Sequence, residues 1–126
     1  MSETFRSDCP IASALDILGD KWSLLIVRNA MLGARRFGDF LAAPEAIATN
    51  VLSDRLERLQ AWGILEPVEA GESGRRARGA YRLTRAGADL LPVLQAVARW
   101  GETHLEMRRT TPAWFRDATP EDLMSK

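Results

Sequence analysis

Leu52, Leu56 and Leu59 recur at spacings of four and three, so they share one face of a helix within residues 47–63, IATNVLSDRLERLQAWG. Gly63 is placed to end that helix, because glycine takes the left-handed conformation that closes helices. The opposite face carries Asn50, Ser53, Asp54 and Glu57, with Arg55 and Arg58 on its flanks. Upstream, Pro10 and Gly19 bracket a short helix with Ile11, Ala14, Leu15 and Leu18 on one side. Asp20 is a suitable cap for the next helix, KWSLLIVRNAML, which Gly33 terminates. That helix is apolar around much of its circumference, which predicts neighbours on more than one side. A third, short helix turns Phe37, Phe40 and Leu41 inward, and APEAI connects it to the leucine helix. The two form a helix-turn-helix pair.

Residues 64–70 alternate as a weak strand whose Pro67 suits an edge, and residues 80–84 alternate as a returning strand. Between them lies the glycine-flanked loop GESGRRARG. Thr84 can cap a final helix with Leu90, Leu94, Val97, Gly101 and Leu105 along one stripe; Pro92 should restart or kink it. Residues 1–8 read as frayed and residues 110–126, with two prolines, as a loose tail. The expectation is therefore one domain over residues 1–126, with an ordered core of about 9–108. It is mainly α with a small β-hairpin: a winged helix-turn-helix that dimerises through its N- and C-terminal helices.

Composition adds boundaries. The formal net charge is zero, so the overall balance does not announce a nucleic-acid partner. Its distribution does: Arg75, Arg76, Arg78, Arg82 and Arg85 fall within residues 73–88, which contain no acid. One cysteine, Cys9, excludes an internal disulfide and makes a reducing cytoplasm the expected compartment. No apolar run reaches membrane-span length, and the N-terminus lacks the pattern of a signal peptide. No glycine-rich phosphate loop, paired-histidine motif or nucleophile elbow is present, so neither an enzyme nor a cofactor is expected.

The segments CPIASALDILGDKW, GARRFGDF, VLSDRLERLQAWGIL, YRLTRAG and ARWGETH, in this order and spacing, resemble the HxlR family of bacterial transcriptional regulators, related in fold to MarR. The resemblance covers roughly residues 9–105. It implies a homodimer on double-stranded DNA, acting as a repressor or activator of a nearby operon. Many members have serine or threonine where Ala48 stands, so Thr49 is the expected cap of the reading helix. The wing, SGRRARGAY, lacks the proline common in the family.

The N-terminal residues of a reading helix meet base edges, which makes Thr49, Asn50 and Ser53 the base-contact candidates. Arg75, Arg76 and Arg78 at the wing tip are phosphate or minor-groove candidates. Arg35 and Arg36 stand before the third helix, where they either hold a phosphate or pair with Asp39 or Glu45. Arg55 and Arg58 complete the phosphate set, with a structural ion pair the alternative for Arg55. Asp54 and Glu57 would sit mid-groove, accept from cytosine, or bond Arg58. Some family members sense oxidants or electrophiles through a cysteine at the place of Cys9, and a helix N-terminus favours a thiolate. The alternative is an inert side chain at the dimer interface. His104 reads as surface or interface, and Trp100 as core, with a partner subunit or a ligand cavity near the dimer interface the alternative. Overall the expectation is a sequence-specific dimeric regulator on an inverted-repeat operator, responsive to an oxidant, electrophile or small effector. The alternative is a winged-helix protein-interaction module that does not bind DNA.

Overall fold

The computed structural model describes residues 5–68, 79–106 and 109–124. Helices α1 (Pro10–Leu18), α2 (Ser23–Met31), α3 (Phe37–Leu41) and α4 (Thr49–Ala61) are followed by strands β1 (Leu65–Pro67) and β2 (Tyr81–Leu83). Then come α5 (Arg85–Ala88), α6 (Leu91–His104), α7 (Ala113–Asp117) and α8 (Pro120–Met124). The strands are antiparallel, with Leu65 opposite Leu83, Glu66 opposite Arg82 and Pro67 opposite Tyr81. This is a winged helix-turn-helix, as the alternation and spacing predict.

The core lies where α2 meets α3, α4 and β2, with β1 packed against α4. Ile26, Val27, Ala30 and Met31 of α2 are buried, which accounts for its broad apolar circumference. Leu52, Leu56 and Leu59 are each no more than 1% exposed. Each burial of this kind is worth about 1.5–3 kcal/mol, so the leucine face fixes α4 firmly. Gly63 closes α4 with φ of 75° and Gly33 follows α2 with φ of 115°, both left-handed.

Asp20 caps α2 one turn early: its Oδ2 accepts from the backbone N–H of Trp22 (3.0 Å) and Ser23 (3.1 Å). Thr84 caps α5, accepting from Gly87 N–H at 3.0 Å while its hydroxyl donates to Gly63 O at 2.6 Å. Gly87 itself approaches the Ile64 carbonyl so closely that a Cβ would clash with it. Pro92 lies in the first turn of α6, so the last helix is restarted rather than kinked.

Four expectations change. Thr49 is not the cap of α4; it is its first helical residue, and Ala48 stands at the cap with no side-chain bond. Trp100 is not core: it is 60% exposed, with its ring 5.0 Å from that of His104. The N-terminal stretch is not all frayed, since Phe5 lies against Trp62 and Arg6 pairs with Asp16. Nor is the C-terminal stretch loose. Phe115 is buried, Gln95 Nε2 donates to the carbonyls of Phe115 and Ala118 at 2.9 Å, and Arg85 pairs with Glu121 at 3.0 Å. The prolines of this stretch start helices rather than break them: Pro112 precedes the first residue of α7 and Pro120 opens α8.

Candidate nucleic-acid interface

An α-helix turns about 100° per residue. On that wheel Thr49, Gln60, Ser53, Glu57, Asn50 and Asp54 occupy one contiguous strip of α4, and all six are exposed. The three base-contact candidates therefore lie together. Glu57 and Gln60 extend the strip toward the wing. Gln60 is absent from the residues singled out by sequence, although the spacing 49, 53, 57, 60 carries the signal. Between the strip and the wing runs an open groove of about 540 Å³, lined by Ser53, Glu57, Gln60, Ala61 and Tyr81.

The segment before α3 belongs to the wing. Tyr81 N–H donates to Arg35 O at 2.7 Å, and Arg36 bridges Ala80 in antiparallel fashion. Asp39 fixes this segment by accepting from the backbone N–H of both arginines at 2.9 Å. Those two bonds, from Arg36 and then Arg35, hold its carboxyl below the usual range. Asp39 thus meets both arginines through their backbone N–H groups. Arg35 Nη1 donates to the carbonyls of Ala30 (3.0 Å) and Ala34 (2.9 Å), closing the end of α2. Glu45 pairs instead with Arg28, both guanidinium ends reaching its carboxylate at 2.8 and 3.0 Å. That fork pins the turn before α4, where Ala46 takes a left-handed φ of 60°. Glu66 and Arg82 pair across the strands at 2.9 Å. Arg75, Arg76 and Arg78 lie outside the described residues.

Arg55 takes the structural ion pair that is the alternative to a phosphate contact, and Arg58 is likewise engaged within the chain. Both lie on the flank of the exposed strip, where Asp54 at its edge meets Arg55. Arg55 Nε donates to Asp20 Oδ2 at 2.8 Å and its Nη1 pairs with Asp54. Arg58 Nη2 donates to Asp16 O (3.1 Å) and Ile17 O (3.2 Å), carbonyls in the last turn of α1. Arg58 therefore engages neither Asp54 nor Glu57 in these bonds. Asp20 is partly buried, which alone would raise its pKa. Hydrogen bonds from Ser23, Arg55 and Trp22 outweigh that and hold it well below the usual carboxylate range.

Cys9 is exposed at the cap of α1. Among the described residues no three potential ligands gather to hold a metal, and no helix is long and apolar enough to cross a membrane.

The comparisons agree with this geometry. The family model described as HxlR-like helix-turn-helix matches residues 17–109. An HTH-type transcriptional regulator of Mycobacterium tuberculosis is 36% identical over 119 residues, covering 94% of this chain and 73% of that protein. The Bacillus subtilis regulator YodB is 30% identical over 99 residues, covering 78% of this chain and 87% of its own length. Among solved structures, PA1607, proposed to be a transcription factor, superposes with a TM-score of 0.73 at 40% identity, over 85% of this chain and 72% of that one. Quinone-bound YodB superposes with a TM-score of 0.62 at 29% identity, over 75% of this chain and 98% of that one. The relatives are transcription regulators, not enzymes. With an exposed polar strip on a helix seated by three leucines and a two-stranded wing beside it, the chain belongs to the HxlR-like helix-turn-helix family of DNA-binding transcriptional regulators.

Proposed function

We propose that the protein is a sequence-specific regulator that binds an inverted-repeat operator as a homodimer, reading bases with Thr49, Asn50 and Ser53. The observation that carries this is the contiguous exposed strip of α4 beside the wing groove. A helix fits the major groove, and asparagine can pair bidentately with adenine. The phosphate contacts come from Arg75, Arg76 and Arg78 of the wing and from Arg36, with Arg35 contributing through what its carbonyl bonds leave free. Arg55 and Arg58 fall outside this set because their guanidiniums are held within the chain.

Dimerisation is supported by apolar side chains left outside the core. Ile11 (71%) and Leu15 (52%) of α1 and Val93, Val97 and Trp100 of α6 are exposed. Two-fold symmetry would set the half-sites about one helical turn apart or a multiple of it.

Selection of bound duplexes from random sequence, followed by fluorescence anisotropy across a salt series, tests the reading. An inverted repeat should emerge. Changing Arg75, Arg76 and Arg78 together to Ala should reduce the slope of log affinity against log salt by about 0.9 for each phosphate no longer neutralised. An intact protein with no duplex affinity at low salt would instead favour the protein-interaction module.

YodB has been solved with quinone bound, and an electrophile of that class is the effector we assign to the exposed Cys9. Intact mass after quinone treatment, paired with DNA affinity, tests it. An unmodified Cys9, or a modified one that binds DNA unchanged, removes thiol sensing.

A further inference from the structure

The arginines of α4 divide from its polar strip by about 140° around the helix, measured between the midpoints of the two groups at about 100° per residue. Their partners all belong to the corner where α1 gives way to α2, apart from the neighbouring Asp54. Asp20 is the hub of that corner. Its Oδ1 accepts from Ser23 Oγ at 2.6 Å, and its Oδ2 takes Trp22 N–H, Ser23 N–H and Arg55 Nε. Ser23 is 1% exposed, so the hub is anchored in the core. One turn further along α4, Arg58 closes the end of α1 through two backbone carbonyls. The leucine face alone holds α4 against the core but resists rotation about the helix axis weakly, since apolar contact is not directional. Two guanidinium ties on one flank, with fixed fork geometry, supply the missing constraint.

We propose that Arg55 and Arg58 are positioning residues for DNA reading: through Asp20 and the last carbonyls of α1 they set the rotation at which Thr49, Asn50 and Ser53 face a duplex, without touching it. This rests on the reading of α4 as the base-contacting helix. Specific base pairing demands placement within about 0.5 Å and 10–20°, whereas phosphate attraction tolerates looser geometry and carries no sequence information. Loss of a tie should therefore erase discrimination and leave general affinity in place.

The test compares wild type, Arg55→Lys, Arg55→Ala, Arg58→Lys and Asp20→Asn on two duplexes, a selected operator and a scrambled sequence of equal length, across a salt series. Positioning predicts that each variant loses operator affinity by about tenfold or more while scrambled-duplex affinity and the salt slope stay at wild-type values. It also predicts that Arg55→Ala combined with Asp20→Asn is no worse than either alone, as expected for two ends of one interaction. A phosphate contact predicts the reverse on every point. Arg55→Lys would keep its binding, Arg55→Ala would lower both duplexes together and flatten the slope by about 0.9, and Asp20→Asn would free Arg55 and strengthen binding. Any of these overturns the proposal.

Lysine and asparagine variants keep the test open if the alanine variant fails to fold. Amide exchange at Leu52 and Ser53, the first hydrogen-bonded N–H groups of α4, in the DNA-free protein separates this proposal from the reading beneath it. Exchange there should quicken in Asp20→Asn and Arg55→Lys. Unchanged exchange defeats the tie even if wild type binds no duplex, and quickened exchange in a protein that binds no duplex defeats the base-reading role alone.

Discussion

Helices α4 and α6 are of similar length, and each carries a regular apolar stripe, yet they finish their packing differently. In α4 the whole stripe goes inside: Leu52, Leu56 and Leu59 are at most 1% exposed, and what remains outside is polar apart from the terminal Ala61. In α6 the stripe is split. Leu91 and Leu94 are buried, but Val93 (43%), Val97 (55%) and Trp100 (60%) are left in contact with water. The same periodicity thus describes a helix whose apolar stripe is fully covered and one whose stripe is covered only in part. The difference lies in how many neighbours the chain supplies. Helix α4 is covered by α2, α3 and β1. Helix α6 has the core on one side and the α7 segment, held by Gln95, on another; a third side faces outward.

Four changes probe that contrast. The largest effect belongs to the closed helix: Leu56→Ala should cost about 2–5 kcal/mol in denaturant unfolding, and a cost under about 1 kcal/mol would show that α4 is not sealed. Next is the polar part of the seal. Asp20 has a lowered folded-state pKa, so the stability it contributes is present above its unfolded value, near 3.8, and is lost as pH falls through the folded one. Asp20→Asn should cost about 2 kcal/mol at neutral pH and flatten the acid limb of a stability profile below about pH 4. An unchanged acid limb would mean the carboxylate does not contribute.

On the open side, Val97→Asp should change the unfolding free energy of the isolated subunit by less than about 0.5 kcal/mol. It should nonetheless weaken self-association at least tenfold by sedimentation. If the loss of stability were as large as for Leu56→Ala and independent of protein concentration, the exposed stripe would not be an interface. The smallest effect concerns the joint leading into α4. Ala46→Gly relieves a left-handed alanine, costing about 1–2 kcal/mol, against the greater backbone freedom glycine loses. A gain of about 0.5 kcal/mol is expected, read as a rise in melting temperature; a fall would mean the turn is not strained.

Much of this was legible in the chain. The element order, the leucine face, the closing role of Gly63, the caps at Asp20 and Thr84 and the restart at Pro92 all follow from local chemistry. The misses share a cause. Arg58 meets carbonyls 41 and 42 residues away, and the partner of the ion pair offered for Arg55 is an aspartate 35 residues away. Spacing within α4 could place both arginines on a flank but could not say what that flank faces. Trp100 failed similarly, because a stripe announces an apolar face without saying whether the same chain covers it. The strand-like role of Arg35 and Arg36 is fixed by a backbone bond to Tyr81 and by Asp39, not by alternation. The base-contact strip is legible from its N-terminal end only, since Gln60 lies about three turns on.

The C-terminal segment has a different bearing on the family. The family model ends at residue 109, and the helices beyond it are gripped by one amide of α6: Gln95 reaches the carbonyls of Phe115, Arg116 and Ala118 at 2.9, 3.2 and 2.9 Å. Carbonyls belong to every residue type. A seat that grips the backbone of α7 and buries one aromatic ring asks little of the sequence that sits in it, so α7 can drift in composition while its attachment persists, whereas α8 is also tied through the side chain of Glu121 to Arg85. Variation among sister regulators has room to accumulate here, beyond the residues the family model matches, at little cost to α4.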